Sequence, residues 1–146
     1  MSRYTFISIL GAFLYPAACA AQTATRVYNL QTVDGNKLPA IWNVAGSDTS
    51  WIHWGKVMLE PNGRATIIEF STHTYNGVRG GGGTNTLHTR YTQHADSIEI
   101  GAPKTCAAPC FQGHYGVISD STLTLTLHTT PATFWPVYSY RRIASQ

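Results

Sequence analysis

Leu123, Leu125 and Leu127 alternate with Thr122, Thr124, Thr126 and His128. A period of two places the leucines on one face of an extended strand and the polar residues on the other. It fits no helix, where apolar residues must recur at three- and four-residue spacing. Beyond residue 20 no window carries that helical spacing with caps. Thr, Val, Ile, Tyr and Trp are abundant instead, and Gly, Pro, Asn and Asp punctuate at short intervals. The chain therefore reads as all-β.

Successive runs read as eight or nine strands, mostly joined to their neighbours. They are residues 25–33, 38–44, 51–60, 64–75, 84–95, 97–101, 114–118, 122–128 and 137–143. Asp34-Gly35-Asn36 and Pro61-Asn62-Gly63 supply turn chemistry between runs. Residues 76–83, with four consecutive glycines, read as a flexible hairpin tip. Alternation places Val57 and Leu59 inward, then Ile68 and Phe70, then Leu87 and Tyr91. Glu69, Ser71 and His73 are expected outside. One apolar and one polar face per strand is what an antiparallel up-and-down barrel of about eight strands requires. A ligand inside it would meet Val57, Leu59, Ile68, Phe70, Leu87, Tyr91, Leu123, Leu125 and Tyr140. Such a barrel either fills itself or holds one small molecule. Four tryptophans and eight tyrosines, six of these beyond residue 20, serve a filled core and a ligand cup equally well.

The first twenty residues form a separate unit. Arg3 precedes an apolar run from Tyr4 to Tyr15, followed by Pro16-Ala17-Ala18-Cys19-Ala20-Ala21. That pattern is a signal peptide over residues 1–20, leaving one domain over 21–146 in the periplasm or secreted. The run falls short of the roughly 20 residues a spanning helix needs. The alternative is lipoprotein processing, which would make Cys19 a membrane anchor. Pro16 stands where a lipobox carries a Leu-like residue. In an oxidising compartment, Cys106 and Cys110 are expected to form a disulfide. Their small loop would add little to global stability.

Several chemistries find no support. Without Arg3, nine basic residues face seven acidic ones, and only Arg141 and Arg142 are adjacent. A nucleic-acid binder would show a basic stripe. No serine sits in Gly-x-Ser-x-Gly. No carboxylate pair is placed for acid–base work, so no catalytic residue is assigned. The glycines at 80–83 lack the Lys-Ser/Thr and helix of a phosphate loop. His53, His73, His88, His94, His114 and His128 show neither His-x-His nor His-Glu-x-x-His. They read as surface histidines, with no metal site and no cofactor.

Three segments carry a resemblance. Val27-Tyr28-Asn29-Leu30-Gln31-Thr32-Val33-Asp34-Gly35-Asn36-Lys37-Leu38-Pro39 opens the mature chain. Gly55-Lys56-Val57-Met58-Leu59-Glu60-Pro61-Asn62-Gly63-Arg64 stands mid-chain. Ser121-Thr122-Leu123-Thr124-Leu125 and Tyr138-Ser139-Tyr140-Arg141-Arg142 close it. In this order they resemble the small exported lipocalin-like barrels of bacteria, most of which have no assigned function. Tyr28 stands near the place of the Trp in the Gly-x-Trp of true lipocalins. The resemblance implies a barrel and at most a ligand cup, not a reaction. The expected function is non-catalytic binding of a small hydrophobic molecule. The alternative is a structural or protein-interaction module with a filled core.

Overall fold

A computed structural model of the protein describes residues 24–101, 110–130 and 135–144. The signal segment, Cys19 and Cys106 lie outside the described residues, and the expected disulfide with them. Ten strands follow in order: β1 (Arg26–Val33), β2 (Asn36–Lys37), β3 (Ala40–Ala45), β4 (Asp48–Leu59), β5 (Arg64–Tyr75), β6 (Val78–His94), β7 (Ser97–Ile100), β8 (Cys110–Ile118), β9 (Thr122–Thr130) and β10 (Val137–Arg142). Sheet order runs β1-β10-β9-β8-β7-β6-β5-β4, and β4 pairs back to β1. Tyr28 opposite Val57 closes the ring. Eight antiparallel strands thus form an up-and-down barrel, as the alternation and the lipocalin-like resemblance imply. The short β2 and β3 lie outside the ring, against β1 and β4 respectively.

Short turns enforce this order. Asp34 and Gly35 take φ values of 50° and 78°, and Asn76 and Gly77 take 49° and 74°. Two successive positive φ values are the signature of a two-residue type I′ hairpin, whose twist matches that of its strands. The second turn corrects one expectation. The glycines at 80–83 are no hairpin tip but part of β6. A Cβ on Gly82 would meet Thr72 Cγ2 at 2.7 Å and Phe70 Cζ at 3.2 Å. Glycine is required there so that outer-face side chains of β5 can lie over β6.

The core is apolar and continuous. Tyr28, Leu30, Ile52, Val57, Leu59, Ile67, Ile98, Ile100, Ile118, Leu123, Leu125, Tyr138 and Tyr140 are all buried. Leu127 packs against them from the end of the β9 leucine stripe. Each such side chain contributes about 1.5–3 kcal/mol through burial. Tyr28 sits at the closed end, where its hydroxyl donates to the Ser119 carbonyl at 3.3 Å. Tyr91 faces the same end and donates to the Glu60 carbonyl at 2.9 Å.

β5 has the opposite phase to the one alternation predicts. Leu59 pairs with Ala65, Val57 with Ile67 and Gly55 with Glu69. Directly opposed residues share a face, so Ala65, Ile67, Glu69 and Ser71 point inward. Ile68 and Phe70 point outward, where Phe70 stacks on Trp54 at a ring distance of 6.4 Å. Leu87 shares the inner face with Ile67 yet is 36% exposed. Among the described residues, β7 pairs only with residues 91–94 of β6. Among the described residues, the rest of β6 has no strand on its far side to cover Leu87.

Candidate functional site

Among the described residues, the end of the barrel opposite Tyr28 is not filled. A cavity of about 200 Å³ remains there. Ile52 on β4, Glu69 and Ser71 on β5, and Asn85 on β6 form one wall. His114 on β8, Leu127 on β9 and Tyr138 on β10 form the other, and Trp42 of β3 lies over them. Asn85 is exposed and marks the opening. Strand register explains the convergence. Glu69 is opposite Asn85 on one side and Gly55 on the other, while His114 is opposite Leu127. A Cβ on Gly55 would lie 3.1 Å from Leu30 Cδ2 and 3.6 Å from Glu69 Cγ. Glycine at 55 therefore leaves room for the Leu30 side chain inside the ring, with Glu69 Cγ at an ordinary contact distance.

Polar atoms are stranded around this cavity. Glu69 Oε1, Trp42 Nε1 and the Tyr140 hydroxyl just beneath are buried and have no hydrogen-bond partner among the described residues. Buried polar groups almost always find partners, and each one left without costs about 1–3 kcal/mol. Burial raises the Glu69 carboxyl to about 7. Burial, aided by His128, lowers His114 to about 4, so its imidazole is neutral at physiological pH. Burial and then the Glu69 charge push the Tyr138 and Tyr140 phenols well above their ordinary range. Glu69 therefore lies close enough to act on both tyrosines. The His114 ring meets Tyr138 edge-on at 6.1 Å.

This assembly suits holding a ligand. It combines apolar walls, a carboxyl that titrates near neutrality and an indole N–H. No three His, Cys, Asp or Glu side chains among the described residues converge as metal ligands.

A Tyr140 hydroxyl without a partner makes a measurable prediction. Tyr140→Phe should raise stability by about 1 kcal/mol, since removing a buried unpaired polar group is favourable. Urea denaturation reads the change. A loss of 1 kcal/mol or more would show that the hydroxyl is well bonded.

The nine residues expected to line a ligand fall in four places. Val57, Leu59, Leu123, Leu125 and Tyr140 are in the packed core below the cavity. Tyr91 faces the closed end and Leu87 the uncovered stretch of β6. Ile68 and Phe70 are outside. The cavity walls come from other residues, and three of them contradict the sequence reading. Glu69 and Ser71 were expected outside and are inside; His114 was expected on the surface and is buried. The signal for Glu69 lies in the tight turn after Leu59. With Val57 and Leu59 inward, a short hairpin aligns Ala65, Ile67 and Glu69 with them. No comparable sequence signal marks His114.

A second hollow, of about 320 Å³, lies on the outer side of the β4–β5 ribbon between Pro39, Trp51, His53, Thr72 and Arg79. Here His53 Nε2 and Thr72 Oγ1 already pair at 2.7 Å. The stranded Glu69 and Trp42 groups single out the inner cavity instead. No protein-family model matches the chain, and comparison with curated proteins and with solved structures gives no match either.

Proposed function

We propose that the protein is an exported, non-catalytic binding protein that takes one small, largely apolar molecule into the open end of its barrel. One observation carries this reading. A cavity of about 200 Å³ is bordered by a buried acceptor on Glu69 and a buried donor on Trp42, both without partners among the described residues. A packed structural core would have no reason to strand both. An empty apolar cavity of about 150 Å³ is enough for a benzene ring. The space therefore suits a single ring or short branched chain with a polar head. Export rests on the leader-like residues 1–20, and retention at a membrane on acylation of Cys19.

The interaction-module reading has its own support in exposed apolar residues. Ile41, Val44, Trp54, Tyr75 and Val78 are all exposed on β3 to β6. Isothermal titration with benzyl alcohol separates the two. The binding reading expects saturable one-to-one heat, lost in Leu127→Trp, whose indole fills the cavity. No heat in the wild type, or equal heat in the filled variant, would favour the interaction module.

A further inference from the structure

We infer that the natural ligand of the inner cavity is a small cationic amine with an apolar body, its ammonium held by Glu69 beside the rings of Trp42 and Tyr138. This inference rests on the binding reading above and adds the chemical class of the ligand. Among the described residues, Glu69 is the only carboxyl bordering the cavity, and no Lys or Arg lines it. One of its oxygens is buried without a partner among the described residues. A carboxylate in that position lacks a counter-charge, and taking a charge from water without one is costly. A ligand ammonium supplies it. The aromatic walls add a second attraction, because the negative face of an indole or phenol ring draws a cation. Ile52 and Leu127 then cover the apolar body. A carboxylate ligand would meet Glu69 with like charge. The Trp42 N–H is a donor and cannot bond an ammonium, so it calls for an oxygen elsewhere on the same molecule.

The titratable groups around Glu69 make this readable. Tyr138 and Tyr140 from β10 stay protonated through neutral pH, and His114 from β8 stays neutral above about 4. Of these four groups, Glu69 alone changes charge near neutrality, with burial holding its carboxyl at about 7. An ammonium binds the ionised form, so its arrival drives the Glu69 proton into the buffer. Affinity for an amine should climb about tenfold per pH unit from about 5 to about 7 and then level off. A neutral ligand should show no such climb.

The test is calorimetric titration of the full mature chain with benzylamine, benzyl alcohol and benzoate, one ring with three head groups. At pH 8 benzylamine should bind at least about tenfold tighter than the alcohol, with benzoate weakest. The preference should vanish at pH 5. Glu69→Gln should weaken benzylamine about 30-fold or more, the lower end of breaking a buried charge pair, while benzyl alcohol still binds. An alcohol that matches the amine at pH 8, or an amine preference that survives Glu69→Gln, overturns the amine assignment and leaves the binding reading standing. Absence of binding by all three probes overturns both.

Discussion

Glu69→Gln is expected to be more stable than the wild type by about 2–3 kcal/mol at pH 8, and equal to it near pH 4. Burial raises this carboxyl from 4.5 to about 7 in the folded chain. The folded state therefore keeps a proton that the unfolded state gives up. Stability tied to Glu69 is complete below about pH 4.5 and is lost as pH rises through about 7. His114 works in the other direction. Its folded value is lowered from 6.5 to about 4, so its share of stability is present above pH 6.5 and is lost as pH falls through about 4. Between about pH 4.5 and 6.5 the two slopes oppose each other, and together they leave the wild type nearly level. Glu69→Gln removes one slope and exposes the other. Its stability should climb between pH 4 and 6.5 and then stay flat. Urea midpoints across pH 4–8 provide the measurement. A variant that loses stability at pH 8 would mean that the carboxylate already has a favourable partner.

The second large effect compares two adjacent isoleucines. Ile67 is 4% exposed and belongs to the core, whereas Ile68 lies on the outer face of β5. Ile67→Ala should cost about 3 kcal/mol, within the range of large-to-small core substitutions. Ile68→Ala should cost about 1 kcal/mol or less, as partly covered surface positions do. Equilibrium denaturation of the pair settles the phase of β5, and with it whether Glu69 is inside. A reversed order of costs would turn Glu69 out to solvent and remove the site.

These two residues also mark where the sequence was readable and where it was not. β9 was legible because only one of its two alternating sets is apolar. β5 offers two candidates: Ala65, Ile67, Glu69 and Ser71, or Thr66, Ile68, Phe70 and Thr72. The second holds the larger apolar residues, and simple alternation chooses it. The register with Val57 and Leu59 overrides that preference, and Phe70 finds its partners outside, on Trp54 and over Gly82. β8 misleads for a related reason. Its inner set is His114, Gly116 and Ile118, while Val117 points out and is exposed. Gly116 is required because a Cβ there would collide with the Thr124 carbonyl of β9. The barrel itself was legible, since it depends on turns and average alternation. The site was not, because it consists of residues that break the alternation. Glu69 and His114 are polar at inward positions, and Trp42 comes from a strand outside the ring.

The central claim is that a small molecule enters the barrel at Glu69 and Trp42. The most direct test follows the Trp42 indole N–H resonance, assigned through Trp42→Phe, during the benzylamine titration at pH 8. The account predicts that this resonance shifts in a saturable way with the calorimetric affinity, and that Leu127→Trp abolishes the shift. An unmoved Trp42 resonance at saturating benzylamine would place any binding elsewhere and contradict the account.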